Sequence, residues 1–151
     1  CGTEAVSGIR AMHLESGETL ARAGRVSQTS EPGAWLYDCD PAAIRAHGLA
    51  NFGMKQLADS LGYLTGDEEL VSPWFSKYQV LYSGRGDARA TKEVCRKLGV
   101  RIFEIKKRNA EIDSDKLLRE FNKLEGAPVS LVVYAVGRSL KHLLAIRSTS
   151  V

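Results

Sequence analysis

Three adjacent cations, Lys106, Lys107 and Arg108, are the residues of this sequence whose types and spacing most directly predict a binding chemistry. Like charges in a row repel one another, so their grouping contributes little to folding, whereas a phosphate attracts all three. We therefore predict that this basic triplet contacts the phosphates of a polyanionic partner. A solvated strand end that is basic without binding a ligand is the alternative.

The sequence offers no comparable set of residues for catalysis or metal binding. No nucleophile is paired with a base, no glycine-rich loop has the spacing of a phosphate or cofactor loop, and the acidic run 67–69 lacks catalytic partners. The cysteines and histidines lie far apart, without the spacing of a disulfide framework or a zinc site. They are Cys1, Cys39, Cys95, His13, His47 and His142. We expect neither a metal nor a cofactor bound to this chain.

Length and composition are those of a folded domain. The 151 residues are 44% apolar and 26% charged, which suits one domain with a core. No apolar run approaches the roughly 18 residues of a membrane span, and the first residues lack the pattern of a secretory signal. We expect no membrane contact and, by default, a cytoplasmic location. Because the chain begins with Cys1 and not with Met, we also expect a fragment of a longer protein.

The positive charge is concentrated near the C-terminus. Residues 1–100 contain 11 Lys and Arg against 12 Asp and Glu, a net charge of −1. Residues 101–151 contain 10 Lys and Arg against 6 Asp and Glu, a net charge of +4, and the two values sum to the chain's +3. This asymmetry favours a polyanionic partner.

The triplet lies at the end of a predicted strand, within an alternation of strands and helices. Residues 77–147 predict the order strand, helix, strand, helix, strand, strand (βαβαββ). Two strand–helix–strand crossovers imply parallel neighbours, and the last two strands form an antiparallel hairpin. Asp87 is suited to cap the first of these helices, and Asp113 or Ser114 to cap the second. We predict a small mixed sheet of the α/β class, with its helices mainly on one face.

Shorter elements are predicted before this sheet. Residues 9–14 and 18–22 flank a turn that contains Gly, which predicts an N-terminal β-hairpin. Residues 23–34 are rich in Gly, Ser, Thr and Pro and indicate a linker. Two short helices are then expected, the first of which begins at Asp40 and Pro41. The second has apolar residues at near-helical spacing, Leu49, Phe52, Leu57 and Leu61, and is closed by Gly62.

Four stretches occur together in an order and spacing that resemble one known family. They are residues 35–46 with an aromatic, acidic and Pro helix start, residues 62–67 before the sheet, Ser72-Pro73-Trp74-Phe75, and residues 98–108 with the basic strand end. Over roughly residues 30–147 the chain resembles the C-terminal portion of bacterial class I S-adenosylmethionine-dependent methyltransferase-like proteins that carry a THUMP-like domain. The family often has Gly after the triplet, whereas this chain has Asn109, which also tolerates left-handed backbone.

The resemblance implies a division of the chain. Residues 1–22 then form the tail of a missing methyltransferase domain, residues 23–34 are the linker, and residues 35–151 are the THUMP-like domain. The parent protein is expected to be a methyltransferase, whose S-adenosylmethionine is bound by the missing catalytic domain. This chain itself is expected to carry no catalytic residue.

THUMP domains are RNA-binding modules of RNA-modifying enzymes, so the resemblance also implies an RNA partner such as tRNA or rRNA. Lys106, Lys107 and Arg108, together with Arg138 and Lys141 of the final hairpin, would then contact phosphates and position the RNA without reading its bases. The other interpretation is a structural module that packs on its own methyltransferase domain or on a partner subunit without binding nucleic acid. The triplet would then face acidic residues across that interface.

Overall fold

The structure is a computed structural model that describes residues 10–12 and 19–148. β1 (Arg10–Met12) and β2 (Thr19–Ala21) form a two-stranded antiparallel sheet. The predicted N-terminal hairpin is confirmed in this pairing. Its predicted turn falls within residues 13–18, which lie outside the described residues.

A second sheet contains eight strands and dominates the fold. Its strands are β3 (Gln28–Thr29), β4 (Trp35–Cys39), β5 (Lys55–Leu57), β6 (Tyr63–Gly66), β7 (Phe75–Arg85), β8 (Val100–Arg108), β9 (Ala127–Val136) and β10 (Ser139–Ser148). Their spatial order is β3-β5-β6-β4-β7-β10-β9-β8. The β3–β5 and β8–β9 pairs are parallel, and the other pairs in this order are antiparallel.

The predicted βαβαββ sheet of residues 77–147 describes only part of this architecture. β8 and β9, which a helix connects, are parallel neighbours, as expected. β7 and β8 are not neighbours, because β10 folds back along β9 and occupies the position beside β7. β4 pairs with the other side of β7, so the strands of residues 35–66 extend the sheet instead of preceding it. The result is larger and more antiparallel than the sequence predicts.

Two short helices lie between the strands of the N-terminal half. α1 (Pro41–Arg45) begins where the Asp40 carboxylate accepts a hydrogen bond of 2.8 Å from the Ala42 N–H, as expected. The predicted second helix is wrong in extent. A 3-10 helix (Leu49–Phe52) ends at Gly53, whose φ of 68° is left-handed, and β5 follows. The apolar spacing that suggests a longer helix therefore spans a turn and a strand.

Two further helices pack on one face of the eight-stranded sheet. α2 (Ala88–Leu98) is capped by Asp87, as the sequence predicts, and α3 (Ser114–Glu120) is capped by Asp113, one of the two residues that the sequence offers for this position. In the described ranges, no helix is long and apolar enough to span a membrane. The core on this face is made of the buried residues Cys95, Val100, Ile102, Phe121, Val129, Leu131, Val133 and Leu144.

The opposite face of the sheet curls around a second core. β6 and β9 both contribute to it although three strands lie between them, so the sheet must be strongly curved. At the β4–β6 end, α1 and the β1–β2 hairpin cover the outer side through a third cluster that includes Leu20, Tyr37 and Ala43. The buried residues inside the curl are Leu36, Leu57, Ala58, Tyr63, Tyr78, Val132, Tyr134, Leu143 and Ala145.

Candidate nucleic-acid interface

The alternation of β8 divides the basic triplet between the two faces of the sheet. Successive side chains of a strand point to opposite faces. Lys106 and Arg108 point into the curl, where Lys106 Nζ lies 5.4 Å from the centroid of the Tyr78 ring and Arg108 Cζ lies 5.0 Å from that of Tyr63. Lys107 points to the other face. The triplet therefore does not form one continuous surface.

One carboxylate, that of Asp38 on β4, holds both cations of the curled side. Asp38 Oδ2 lies 2.9 Å from Lys106 Nζ, and Asp38 Oδ1 accepts a hydrogen bond of 3.1 Å from Arg108. The side chains of Asp38, Lys106 and Arg108 are 18%, 20% and 36% exposed, which places the pairs at the rim of the core. Burial lowers the pKa of Lys106, but the hydrogen bond and charge of Asp38 outweigh burial and raise the pKa above its ordinary value. Lys106 is therefore charged in the folded protein, and its charge is used in the ion pair with Asp38.

Lys107 joins β8 to the loop that follows it. Its Nζ donates a hydrogen bond of 2.9 Å to the Ile112 carbonyl, and an ammonium retains two further N–H donors. The chain turns at Asn109, whose φ of 50° is left-handed, as its residue type allows. The side chain of Lys107 thus keeps donors for a ligand while one of them stabilises the loop.

A cross-strand row places Lys141 at the same end of the sheet as Arg108. Arg108 is opposite Tyr134 on β9, Tyr134 is opposite Lys141 on β10, and Lys141 is opposite Arg85 on β7. Neighbouring strands are about 4.8 Å apart, so Lys141 lies about 10 Å from Arg108 along the row. Arg138 is exposed in the turn that joins β9 to β10 at this end. We call Arg85, Arg138 and Lys141 the sheet-end cations.

Two of the sheet-end cations, Arg85 and Lys141, are like charges directly opposite each other on antiparallel strands. Such an arrangement destabilises a sheet when no anion lies nearby. None of the three sheet-end cations has an ion pair within 4.0 Å among the residues that the structure describes. The pKa of Tyr134, in the same cross-strand row, is raised to about 12 by burial and by the negative charge of Glu31, so Glu31 lies near this end of the sheet. No carboxylate in the described part of the chain, Glu31 included, forms an ion pair with the sheet-end cations, so they remain available to an anionic ligand.

Sequence reasoning missed two residues of this region. Arg85 is the last residue of β7 and lies two residues before Asp87, the cap of α2. Simple alternation along β7 does not assign the face of Arg85, because the pairing of β7 with β10 is irregular near Leu81. Asp38 resembles part of a helix start, and its hydrogen-bonded partner Arg108 is 70 residues away, so no local pattern reveals the pair.

The thiol and imidazole groups inside the fold are buried and do not form a catalytic set. Cys39 is 2% exposed, and burial raises the pKa of its thiol to about 12. Cys95 is also buried. His142 Nδ1 lies 2.8 Å from Thr91 Oγ1, and burial lowers the pKa of His142. Within residues 10–12 and 19–148, no group of three or more His, Cys, Asp or Glu is arranged to hold a metal ion.

Comparison with known proteins gives relatives but no family model that matches the chain. Two curated relatives are described as uncharacterized S-adenosylmethionine-dependent methyltransferases of Mycobacterium tuberculosis, one from strain CDC 1551 and one from strain H37Rv. Each is 32% identical to this chain over 147 residues, which cover 92% of this chain. The chain spans 40% of the length of these relatives, so it is similar to part of a longer protein.

A solved structure shares the fold. The crystal structure of a Porphyromonas gingivalis W83 protein, described provisionally as a methyltransferase, matches 84% of this chain with a TM-score of 0.64. The match covers 32% of that protein at 14% sequence identity, and at such low identity the likeness extends to the fold alone. In both comparisons the chain corresponds to a minor part of a longer protein whose name refers to methyl transfer.

Proposed function

We propose that this chain is the C-terminal THUMP-like accessory domain of an S-adenosylmethionine-dependent methyltransferase and that it positions an RNA substrate. The relatives' names and the partial coverage of their length support the first half of the proposal. Residues 1–22 are then the tail of the catalytic domain, residues 23–34 its connection, in which β3 pairs with β5 of the large sheet, and residues 35–151 the accessory domain. S-adenosylmethionine is then bound by the catalytic domain, and this chain delivers the substrate.

One observation supports RNA binding most directly. Arg85 and Lys141 lie opposite each other on neighbouring strands, and neither has an ion-pair partner among the described residues. A phosphate group between two such cations converts their repulsion into attraction. Arg138, in the adjacent exposed turn, extends the positive surface toward a second phosphate. Lys107 lies on the other face at the same strand end and can contact the backbone of a strand that passes around the sheet edge.

The five residues that the sequence singles out therefore divide into two roles. Arg138, Lys141 and Lys107, now joined by Arg85, are proposed to contact phosphates directly. Lys106 and Arg108 form ion pairs with Asp38, and these pairs are proposed to stabilise the curl of the sheet at this end. Contacts of this kind fix the register of a nucleic acid but carry no sequence information. The proposal is accordingly one of positioning, for tRNA or rRNA alike.

A structural module without RNA binding is the second candidate, and one observation favours it. β8 is an edge strand of the sheet, and Phe103, at an irregularity in its pairing with β9, is 50% exposed. An unpaired strand edge with an exposed aromatic ring can pair with the catalytic domain or a partner subunit. The ion pairs of Lys106 and Arg108 also explain part of the basic triplet without a phosphate.

Binding of labelled bulk tRNA and of an rRNA fragment to the chain, followed across a salt series, separates the two candidates. An RNA-positioning surface of about three phosphate contacts predicts that log K falls with log salt with a slope of about −2 to −3. A structural module predicts no saturable binding even at low salt. The absence of saturable binding would overturn the proposal that the chain positions RNA. The remaining candidate would then be a structural module that pairs with a partner through β8.

A further inference from the structure

A cleft lies on a different part of the molecule, beneath the segment that connects the β1–β2 hairpin to the large sheet. Residues 22–28 form this segment, which we call the arch. One end is fixed by the Ala23 N–H, which donates to the His47 carbonyl at 2.9 Å, and by Asn51 Nδ2, which donates to the Ala21 carbonyl at 2.7 Å. The other end is fixed by the Gln56 N–H, which donates to the Ser27 carbonyl at 2.7 Å. The arch is therefore tied down at both ends.

The space between the arch and the α1–β5 region has a volume of about 820 Å³. This lies within the range of small-molecule sites in proteins, roughly 300–1,000 Å³. Because hydrogen bonds fix the arch at both ends, the cleft exists before any ligand arrives. A preformed cleft loses less conformational entropy on binding than one that has to close around its ligand.

The polar side chains that line the cleft are suited to an anion. Arg22 and Arg25 of the arch contribute two guanidinium groups, and His47 on the opposite wall contributes an imidazole. No carboxylate lines the cleft in the described part of the chain. Guanidinium groups bind phosphate through paired, charge-assisted hydrogen bonds. The charge of the lining thus complements a phosphate and disfavours a cationic ligand.

The remaining lining residues are suited to a flat, partly polar body attached to that anion. The exposed carboxamide of Gln28 offers hydrogen-bond donors and acceptors, the groups that recognise the edges of nucleobases. Gln56 is buried, and its Nε2 already donates a hydrogen bond of 2.8 Å to the Ala58 carbonyl. Ile44 and Leu61 contribute apolar surface, and Leu61 is left 55% exposed. A large apolar side chain uncovered beside cationic groups provides a surface for the face of a ring.

The backbone of the wall is also unusual. His47 has a φ of 54°, in the left-handed region that residues with a Cβ seldom adopt. Holding such a conformation costs about 1 kcal/mol or more, and strained backbone of this kind is concentrated at binding sites. The strain is retained because the His47 carbonyl accepts the hydrogen bond that fixes the arch.

We propose that this cleft binds a nucleotide, with the phosphate on Arg22 and Arg25 and the base against Ile44 and Leu61. The site goes beyond RNA positioning by the sheet-end cations, because it uses the arch, α1 and β5 and none of those three residues. The nucleotide can be free in solution or can belong to a single-stranded segment of RNA. Both sources present the same chemistry, a base linked to a phosphate.

The test is a titration of the ¹⁵N-labelled chain followed by amide chemical shifts, with the nucleoside 5′-monophosphates, adenosine and inorganic phosphate as separate ligands. A nucleotide site predicts saturable shifts confined to residues 22–28 and to the amides near His47 and Gln56. It also predicts that a monophosphate binds about tenfold or more tightly than adenosine or inorganic phosphate alone. A single-stranded oligonucleotide that binds more tightly than the monophosphate assigns the source to RNA, and weaker binding assigns it to free nucleotide.

Matched variants complete the test. Arg22→Gln/Arg25→Gln should weaken monophosphate binding about tenfold, because the charge-assisted hydrogen bonds are removed. Arg89→Gln/Arg96→Gln removes the same charge from the exposed side of α2 and should leave the affinity within about twofold. Absence of saturable shifts, equal weakening by the two variants, or equal affinity for inorganic phosphate would overturn the nucleotide site. Replacing the sheet-end cations Arg85, Arg138 and Lys141 by Ala should leave monophosphate affinity within about twofold, because none of them lines the cleft, so the two proposals can fail independently.

Discussion

Lys106 on β8 and Asp38 on β4 form an ion pair, with 2.9 Å between Nζ and Oδ2, although three strands lie between theirs in the sheet. In a flat sheet four strand spacings would separate them by about 19 Å. The pair is therefore a direct consequence of the curl of the sheet, and it connects β8 to the half of the sheet that contains β4. The cations at this position have a structural role that a search for phosphate ligands does not anticipate.

Replacing Asp38 with Asn should destabilise the fold. The substitution keeps the size of the side chain but leaves Lys106 and Arg108 at the core rim without a counter-charge. Removing one partner of a buried pair costs about 3–5 kcal/mol, and the partial exposure of these side chains reduces our expectation to about 2 kcal/mol. Urea unfolding of the variant and the wild type measures this difference.

The control for that experiment is Asp59→Asn. Asp59 is exposed and its side chain has no ion pair in the described ranges, so its replacement should change the free energy of unfolding by less than about 0.5 kcal/mol. An Asp38→Asn variant as stable as the Asp59→Asn control would contradict the role given to the ion pairs. Lys106 and Arg108 would then be free to act as ligands.

Alanine substitutions at two glycines distinguish the cost of a steric collision from the cost of a left-handed backbone conformation alone. Gly126 has a φ of 126°, and a Cβ there would collide with the Gly99 carbonyl, whereas Gly137 has a φ of 60° and open space around it. Gly126→Ala should therefore destabilise the protein by about 3 kcal/mol, because strain and collision add. Gly137→Ala should cost about 1 kcal/mol from the left-handed conformation alone. Thermal unfolding of the two variants should preserve this order, and equal destabilisation would show that the structure around Gly126 relaxes freely.

His142 should make stability depend on pH. Its pKa in the folded chain is lowered by burial, although the charges of Asp87 and Glu120 oppose the shift. Below the ordinary pKa of 6.5 the unfolded chain then binds a proton that the folded chain does not, so stability is lost as the pH falls. The expected loss of stability is at most about 1.4 kcal/mol per pH unit.

The variant His142→Gln isolates this contribution because it keeps a polar partner for Thr91 and has no titrating ring. Urea unfolding at pH 7.5 and at pH 5.5 should show a larger decrease in stability for the wild type than for the variant. The other two histidines are present in both proteins and cancel in the comparison. An identical decrease in the two proteins would mean that His142 is protonated in the folded state as readily as in the unfolded one.

Local chemistry was predictable from the sequence in several places. Asp40, Asp87 and Asp113 cap helices because a short carboxylate preceding a helix satisfies its free N–H groups, a rule that needs no tertiary information. The left-handed turn at Asn109 follows equally from residue type.

What could not be predicted depends on interactions between distant parts of the chain. β5 and β6 are three and four residues long, too short for alternation to distinguish them from a helix or a turn. The position of β10 between β7 and β9 requires pairing with β7, which is more than 50 residues away in the sequence, and no local pattern specifies that partner. Lys106 and Arg108 pair with Asp38, whereas Lys107 does not. This difference depends on the curl of the sheet, which brings together residues far apart in the chain.

The salt dependence of tRNA binding by a sheet-end variant tests the central claim most directly. We would compare wild type, Arg85→Ala/Arg138→Ala/Lys141→Ala, and a control that removes three cations from α2, Lys92→Ala/Arg96→Ala/Lys97→Ala. The account predicts that the slope of log K against log salt becomes shallower by about one for each phosphate that the sheet-end variant no longer binds, and that it changes little in the control. Equal slopes in all three proteins, or an equal change in both variants, would contradict the claim that the sheet-end cations contact RNA phosphates.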